Sequence, residues 1–432
     1  MSYGDPSPVH DPYLALRIPS VRLYLGGSLI ASMGFLMKDA AILWEVYDRT
    51  GSYAQLGFVG VLQAAPVIAL PLVTGHVADR FSRKRIMSIS LLLLAATAVV
   101  LAINSRWIGS MGVLYGALGF HGAVRAFQQP ARQSLLPQIC TPEAFPNAVT
   151  WGTGAFHVAQ MLGPIIAGFI LAVMRNAWLV YLIYAVLALV FFVMLFWVEH
   201  RPSKQNHEAI TIETVTSGLT FVFRSKLLLM AMSIDLFAVL LGGATGLMPV
   251  FQKDILQVGA TWYGVLRAAP AMGAVVVSIW IAHRPPFNRA GRAMILAVAG
   301  YAVATIVFGI SEILWLTILA LFLSGACDIV SVVIRHTMIQ VLTPDSMRGR
   351  VSAINGMFIG ASNYLGDAEA GYVAEVASDL TGDRLLGTKI SVVSGGLGSL
   401  LVVLAAAALS PEFRKYGRIG VVAAEPEGRA VV

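Results

Sequence analysis

Long apolar stretches, each interrupted by only a few polar residues, recur about twelve times along the chain. An apolar run of 18 or more residues is long enough to cross the ~30 Å hydrocarbon layer as a helix. The runs fall at 23–47, 54–78, 86–104, 107–128, 146–174, 177–198, 227–250, 261–283, 293–310, 313–334, 352–377 and 390–409. Most connections are short. The exception is 199–226, which follows the sixth run and separates two sets of six. Its second part mixes apolar and polar residues at helical spacing, as in a helix lying in the membrane surface. The pattern predicts an all-α integral membrane protein. Its parts are an N-terminal six-helix half (1–198), a linker with an interfacial helix (199–226), a C-terminal six-helix half (227–410) and a tail (411–432).

Composition agrees. The chain is 57% hydrophobic and 12% charged, with a mean hydropathy of +0.76, whereas soluble domains are roughly 25% charged. The first twenty residues are polar and proline-rich and do not have the layout of a cleavable signal peptide. The two cysteines, Cys140 and Cys327, are too few for a disulfide framework and have no metal-ligand spacing. They read as small apolar fillers, and no metal or cofactor is expected. No Walker-type phosphate loop or other enzyme motif occurs, which argues against ATP as the energy source and against an enzyme.

Charge distribution sets the orientation. With the N-terminus inside, the outer loops hold six of the 30 Lys and Arg residues, and the inner loops and tails hold most of the rest. The positive-inside rule then puts both termini in the cytoplasm. The net charge of +7 faces the anionic inner leaflet, so it gives no reason to expect a nucleic-acid partner.

The two sets of six are copies. GVLQAAP (Gly60 to Pro66) recurs as GVLRAAP (Gly264 to Pro270). Thr141-Pro142-Glu143 recurs as Thr343-Pro344-Asp345, and Gly163 with Ala167-Gly168 recurs as Gly366 with Ala370-Gly371. The three matches run in order at nearly one offset, which indicates duplication. A six-helix unit returns the chain to its starting side, so the halves form parallel repeats, an arrangement of secondary transporters with a site near the midplane.

Ionisable groups inside a membrane are costly and usually face an interior or a water-filled cavity. The third, sixth, ninth and twelfth spans contain no Asp, Glu, Lys or Arg, which assigns them to the lipid side. The first carries Lys38, Asp39 and Glu45, the fourth ends with His121 and Arg125, the seventh carries Asp235, and the tenth carries Asp328 and ends at Arg335. Spans one, four, seven and ten are therefore expected to line a cavity. At 1.5 Å per residue, Lys38 and Asp39 lie roughly 22 Å from the inner face, and Arg267 about 9 Å from the outer face, within reach of Asp39. Asp235 lies roughly 12 Å and Asp328 about 9 Å from the inner face. These groups either form static ion pairs or contact substrate and protons. No cation matches the depth of Asp235, which makes it a candidate for proton coupling.

Two motifs carry a family resemblance. GHVADRFSRKR, Gly75 to Arg85, joins spans two and three and obeys the positive-inside rule. It resembles the cytoplasmic loop signature of the major facilitator superfamily: Gly75, Asp79, Arg80, Arg83 and Lys84 match, and Ser82 replaces the usual second glycine. The resemblance implies a cytoplasmic gate in which Asp79 meets the positive end of helix eleven; topology alone is the other reading. The second-half counterpart, HRPPFNRAGR, lacks the aspartate. AQMLGPIIAG on span five resembles the superfamily's antiporter motif at Gly163, Pro164 and Gly168, implying a hinge, although small residues also simply permit close packing. Its second-half counterpart, GDAEAG, puts Asp367 in place of the proline and adds Glu369, giving two further coupling candidates. QQPARQSLLPQICTPEAFPNAV and SIDLFAVLLGGATGLMPVFQKDIL are similar to the enterobactin-exporter-like branch of the superfamily. Arg125 falls near the inner end of span four, not at mid-membrane where many proton-coupled members carry an arginine.

The expectation is a major facilitator fold and a secondary transporter, moving small amphipathic or siderophore-like molecules outward in exchange for protons, as a monomer in the cell inner membrane. A proton symporter for a sugar or organic acid, and a membrane receptor that binds without translocating, are the alternatives. Lys38, Asp39, Asp235, Arg267, Asp328, Arg335, Asp367 and Glu369 are the candidate substrate and coupling residues.

Overall fold

The computed structural model describes residues 11–70, 73–74, 77, 81–199, 212–284 and 287–417. Among the described residues, twelve helical segments are consistent with the twelve expected spans. In the first half they are α1 (Pro19–Thr50), α2 (Tyr53–Ala69), α3 (Arg83–Ile108), α4 (Met111–Ile139), α5 (Phe145–Met174) and α6 (Trp178–Phe196). In the second they are α7 (Lys226–Ile255), α8 (Ala260–Ala282), α9 (Ala290–Ile310), α10 (Leu314–Leu342), α11 (Asp345–Thr381) and α12 (Arg384–Leu409). Eight of these are long and apolar enough to span a membrane by length and composition alone. The other four are α1, α4 and α11, which carry interior charge, and the short α2. A linker helix, Ile212–Arg224, packs against α11, where Ile354 and Arg350 lie beside Gly218 and Arg350 donates to Ser217 Oγ at 2.9 Å.

Helices α4, α10 and α11 run on beyond their apolar runs because hydropathy marks only the part facing hydrocarbon. A helix end that packs on protein can carry polar residues and continue. The seventh span, expected to be continuous, is broken after Gly242. Gly243 leaves helical geometry (φ −73°, ψ 73°), and a short 3₁₀ turn over Thr245–Leu247 restarts the chain toward Ile255. Tight reversals follow α1 and α11, where Gly51 (φ 58°) and Gly382 (φ 70°) adopt the left-handed conformation open to glycine. At the starts of the next helices, Ser52 accepts from Gln55 N–H, and Asp383 accepts from Leu385 and Leu386 N–H.

The bundle has a near end, where α1 starts and α12 finishes, and a far end, where Arg384 at the head of α12 bonds the Gly51 carbonyl after α1. The buried apolar residues divide accordingly. One core draws on both halves and fills the far part of the bundle, with Met37, Tyr53 and Leu171 beside Phe251, Tyr263 and Ala374. A second core contains only N-terminal-half residues, among them Met87, Leu135 and Leu195. A third contains no N-terminal-half residue: Leu228, Met294 and Met338 of the C-terminal half are joined by Val222 of the linker and Phe413 of the tail. The halves thus share apolar packing at the far end and keep separate cores toward the near end. Large apolar side chains stay exposed on α3, α6, α9 and α12 (Leu92, Val186, Leu296 and Leu401, for example) and equally on α5, α8 and α10 (Phe169, Ile279 and Leu319), so exposure does not set the four charge-free helices apart.

The duplicated motifs account for the shared packing. Gly60 of the first copy lies against the backbone of Tyr364 and Ala368 on α11; Gly264 of the second lies against Pro164 and Gly168 on α5. The α11 and α5 stretches are themselves the repeated Gly-x-x-x-Ala-Gly pair. Each copy of one motif therefore seats on the opposite half's copy of the other. A Cβ at Gly60 would sit 2.5 Å from the Tyr364 carbonyl oxygen, and one at Gly264 would sit 2.4 Å from that of Pro164. Small residues at these positions let the backbones approach, as in other membrane helix pairs.

Candidate functional site

Polar groups inside the bundle gather in three places. The first is the far-end junction between the halves. Arg267 on α8 reaches across to Asp39 on α1, with Nη2 3.2 Å from Oδ2, and its Nη1 donates to the Thr245 carbonyl at the break in α7 (3.3 Å). Asp367 on α11 holds the same break, accepting from Thr245 Oγ1 and Gly246 N–H, both at 2.7 Å. The carboxylate that stands in place of the repeat's proline is thus an acceptor for backbone left open by the broken helix. Tyr263 donates to the Ala40 carbonyl at 2.8 Å. Farther out, Lys253 pairs with Asp48 at 2.8 Å and Tyr47 bonds Asp254. Glu375 Oε2 accepts from Tyr53 and Ala54 N–H at 3.0 and 3.1 Å, which places a carboxylate on the positive N-terminus of α2. Arg384 stacks over the Tyr53 ring at 4.6 Å.

The second place is the interior of the N-terminal half. Lys38 is almost fully buried, 3.8 Å from Asp39 Oδ1. Its Nζ lies 4.7 Å from the centre of the Phe35 ring, and the Arg125 guanidinium lies 3.8 Å from the same ring. His121 stacks on Phe35 and is buried with neither ring nitrogen hydrogen-bonded. Two turns nearer the near end, Arg132 donates to Ser28 Oγ at 2.6 Å and Ser32 Oγ at 3.3 Å. Toward the far end, Glu45 pairs with Arg49 at 2.6 Å and accepts from Tyr181 at 2.6 Å. Because α4 extends to Ile139, Arg125 stands at the middle of a 29-residue helix and not near its inner end as the hydropathy indicated.

The third place is the interior of the C-terminal half. Asp235 on α7 and Arg335 on α10 form a buried ion pair. The sequence offered Asp235 no cation at its depth; α10 continues to Leu342, so Arg335 lies within the helix and reaches it. Asp328 and Glu369 make no hydrogen bond or ion pair among the described residues, and Glu369 Oε2 is buried.

The sequence model of the Major Facilitator Superfamily matches residues 24–366. The chain belongs to this superfamily. Curated relatives include the enterobactin exporter EntS of Escherichia coli O1:K1 / APEC, 25% identical over 396 residues, which cover 88% of this chain and 85% of the relative. The EntS of Shigella boydii serotype 18 matches to the same extent. Among solved structures, a bacterial homologue of the human lysosomal transporter Spinster, inward-facing and unoccupied, superposes with a TM-score of 0.70 at 13% identity, covering 92% of this chain and 98% of that one. A D-xylose–proton symporter gives 0.68 at 14% identity, covering 93% and 100%. At these identities the solved structures speak for the fold.

Within this superfamily member, Gly75, Asp79 and Arg80 of the loop signature lie outside the described residues. Arg83 and Lys84 open α3, and Lys84 Nζ donates to the carbonyls of Val198 (2.8 Å) and Phe196 (3.3 Å), closing the end of α6 within the same half. Gly163, Pro164 and Gly168 are buried on α5. Gly163 faces α1 at Met33 and Leu36, and Gly168 faces α8. Asp48, Lys253, Asp254, Glu375 and Arg384 were not singled out from the sequence. They sit at helix ends and in far-end loops, where a charge is unremarkable, and only the tertiary arrangement pairs them.

Proposed function

We propose that the protein is a proton-coupled exporter of small amphipathic, siderophore-like molecules. It works as a monomer in the cell inner membrane with both termini in the cytoplasm. The observation that carries this reading is the division of the cores: one shared at the far end and two separate toward the near end, with ionisable groups at the far-end junction and inside each half. That is the layout of a transporter whose site opens to one side at a time, here toward the cytoplasm. Similarity to the enterobactin exporters over most of the chain supports outward movement of a siderophore-like cargo. Rocking one half against the other would exchange the far-end ties for contacts at the near end, where the loop of Asp79, Arg80, Arg83 and Lys84 would latch against helix eleven. Gly163, Pro164 and Gly168 would give where α5 meets α1 and α8.

Protons need a carboxylate that is not already neutralised. Asp328 and Glu369 meet that condition, and they are the proposed carriers. Asp235, with its charge answered by Arg335, is assigned a structural part in the C-terminal half. Asp367 supports the α7 break, and Arg267 with Asp39 and Lys38 forms the polar seal beneath the far-end ties. The test is transport in proteoliposomes under an imposed proton gradient. Outward cargo movement driven by inward protons is the expected result. Glu369→Gln or Asp328→Asn should abolish gradient-driven movement while sparing cargo exchange at equal pH. Movement that ignores the gradient would overturn proton coupling, and counterflow with protons and cargo moving in the same direction would make the protein a symporter.

A further inference from the structure

The three basic groups of the N-terminal interior have too few acidic partners. Lys38, Arg125 and Arg132 share this half of the bundle with Asp39, and Asp39 already answers Arg267 from the other half. Glu45 is taken by Arg49 and Tyr181. A guanidinium carries five N–H donors and no acceptor. Arg125 gives none of its donors to a protein acceptor among the described residues and rests only on the Phe35 ring. Arg132 spends its Nη2 on two serine hydroxyls, which are neutral. Cations placed inside a membrane protein are costly unless a counter-charge meets them, and among the described residues none is paired with Arg125 or Arg132.

These arginines also border an unfilled space. A small cleft, with about 20 Å³ open to a water-sized group, lies between α1, α3, α4 and α6. Its polar wall is Ser28, Ser32, Arg125, Gln128 and Arg132. Its back is apolar and closed by buried side chains of α3 and α6, Leu91, Leu94, Ala188 and Phe191. That is room for about one or two water-sized atoms, so the cleft suits the oxygens of a single anionic group and not the body of an amphipathic molecule. No carboxylate lines it. The exposure it offers an entering group is two guanidiniums, two hydroxyls and one amide, a donor-rich set matched to anionic oxygen, which arginine recognises with paired, charge-assisted bonds.

We infer that this cavity is the cargo's anion site: Arg132 and Arg125, with Ser28, Ser32 and Gln128, bind a carboxylate or ionised phenol on the transported molecule while its apolar part lies in the space between the halves. The inference rests on the transporter reading and narrows it to anionic amphiphiles. It also separates tasks between the halves. Arg267, the arginine that distinguishes the second copy of the repeated heptad, is engaged by Asp39 and Thr245, so the cargo's charge goes to α4.

The test uses the full chain in phosphatidylcholine nanodiscs, in chloride-free gluconate buffer, titrated calorimetrically with benzoate, benzyl alcohol and benzylamine. Benzoate is expected to bind saturably, and the neutral and cationic ring compounds are not. Arg132→Gln and Arg125→Gln should each weaken benzoate at least about tenfold, and Arg132→Lys should retain part of the affinity. Ala31→Leu, which narrows the cavity without touching a charge, should weaken it as well. Arg106→Gln, at the exposed far end of α3, should leave it unchanged. Thermal unfolding of each variant without ligand identifies those that fail to fold, and Ala31→Leu and Arg132→Lys then carry the decision. Equal binding of all three ring compounds, or benzoate affinity that survives both arginine-to-glutamine changes, would overturn the inference. So would chloride alone displacing benzoate with no flux of any organic anion, which would make this a site for an inorganic ion. Gradient-driven flux is measured separately: its absence with benzoate binding intact would count against the exporter reading, and its presence for uncharged cargo alone would count against the anion site.

Discussion

The interior of the N-terminal half holds the bases Lys38, Arg125 and Arg132 and the acid Asp39, with Glu45 and Arg49 paired off toward the far end. The C-terminal half holds the acids Asp235, Asp328, Asp367 and Glu369 and the bases Arg335, paired with Asp235, and Arg267, turned to the junction. The two halves descend from one unit and keep its backbone contacts: Gly60 seats on α11 as Gly264 seats on α5. Packing tolerates few residues where helices touch backbone to backbone, so those positions kept their small side chains. Interior polar positions are bound only by the need to be neutralised, and there the copies diverged, one toward base and one toward acid. The difference teaches that a duplicated transporter can hold its mechanics constant while dividing its chemistry. In the proposed mechanism an anionic cargo group goes to one half and protons to the other.

The comparison breaks most readily at the buried pair of the acidic half. Arg335→Met leaves Asp235 buried without its cation and should cost about 3–5 kcal/mol of stability, read by thermal or denaturant unfolding. Replacing both groups, Asp235→Leu with Arg335→Met, should restore most of that loss. If the double variant is as unstable as the single one, the pair is not the neutralising unit described. Next in size is the shared packing. Gly60→Val drives side-chain atoms into the α11 backbone, an overpacking worth about 1–3 kcal/mol that is felt only while the far end is closed. The variant should shift toward far-end-open forms, seen as faster labelling of a cysteine introduced at Leu56. Glu375→Gln removes the charge that holds the α2 N-terminus across the junction, worth about 1 kcal/mol, and should shift the same labelling rate less.

The smallest effect is expected at the surface. Lys389 beside Glu312 holds that carboxyl below the usual glutamate range, by hydrogen bond and charge. A depressed folded value means any contribution is present above the unfolded value and lost as pH falls through the folded one. The pair is exposed, and such pairs contribute little, so Glu312→Gln should leave unfolding unchanged at neutral pH and slightly reduce its dependence on pH in the acid range. A large change would mean that α12 depends on this tie.

Much of the architecture was legible in the sequence because lipid imposes simple requirements. Long apolar runs, the charge-free third, sixth, ninth and twelfth spans and the repeated heptad each answer one physical constraint, and Arg267 opposite Asp39 followed from depth alone. Three features were not legible. The α7 break lies in an apolar stretch where Gly242-Gly243 reads like ordinary membrane-helix composition; its stabiliser, Asp367, is more than a hundred residues away. Arg125 was placed too near the membrane edge because Gln128, Gln129 and Pro130 ended the apolar run, whereas a helix face turned to protein tolerates them. The same extension, on α10, brought Arg335 to Asp235. Most of the far-end ties escaped notice because charge outside the hydrocarbon carries no penalty and so gives no signal; Glu375 falls within the last residues of an expected span.

In the proposed mechanism the two halves exchange far-end for near-end contact as one rocking unit. Spin-label distances measured across the halves in nanodiscs test it most directly, with one pair at the near end (Thr150→Cys with His283→Cys) and one at the far end (Met174→Cys with Gly259→Cys). Between acidic and alkaline buffer, the two distances should change in opposite directions, the near-end pair closing as the far-end pair opens. Distances that stay fixed, or that lengthen together, would contradict it.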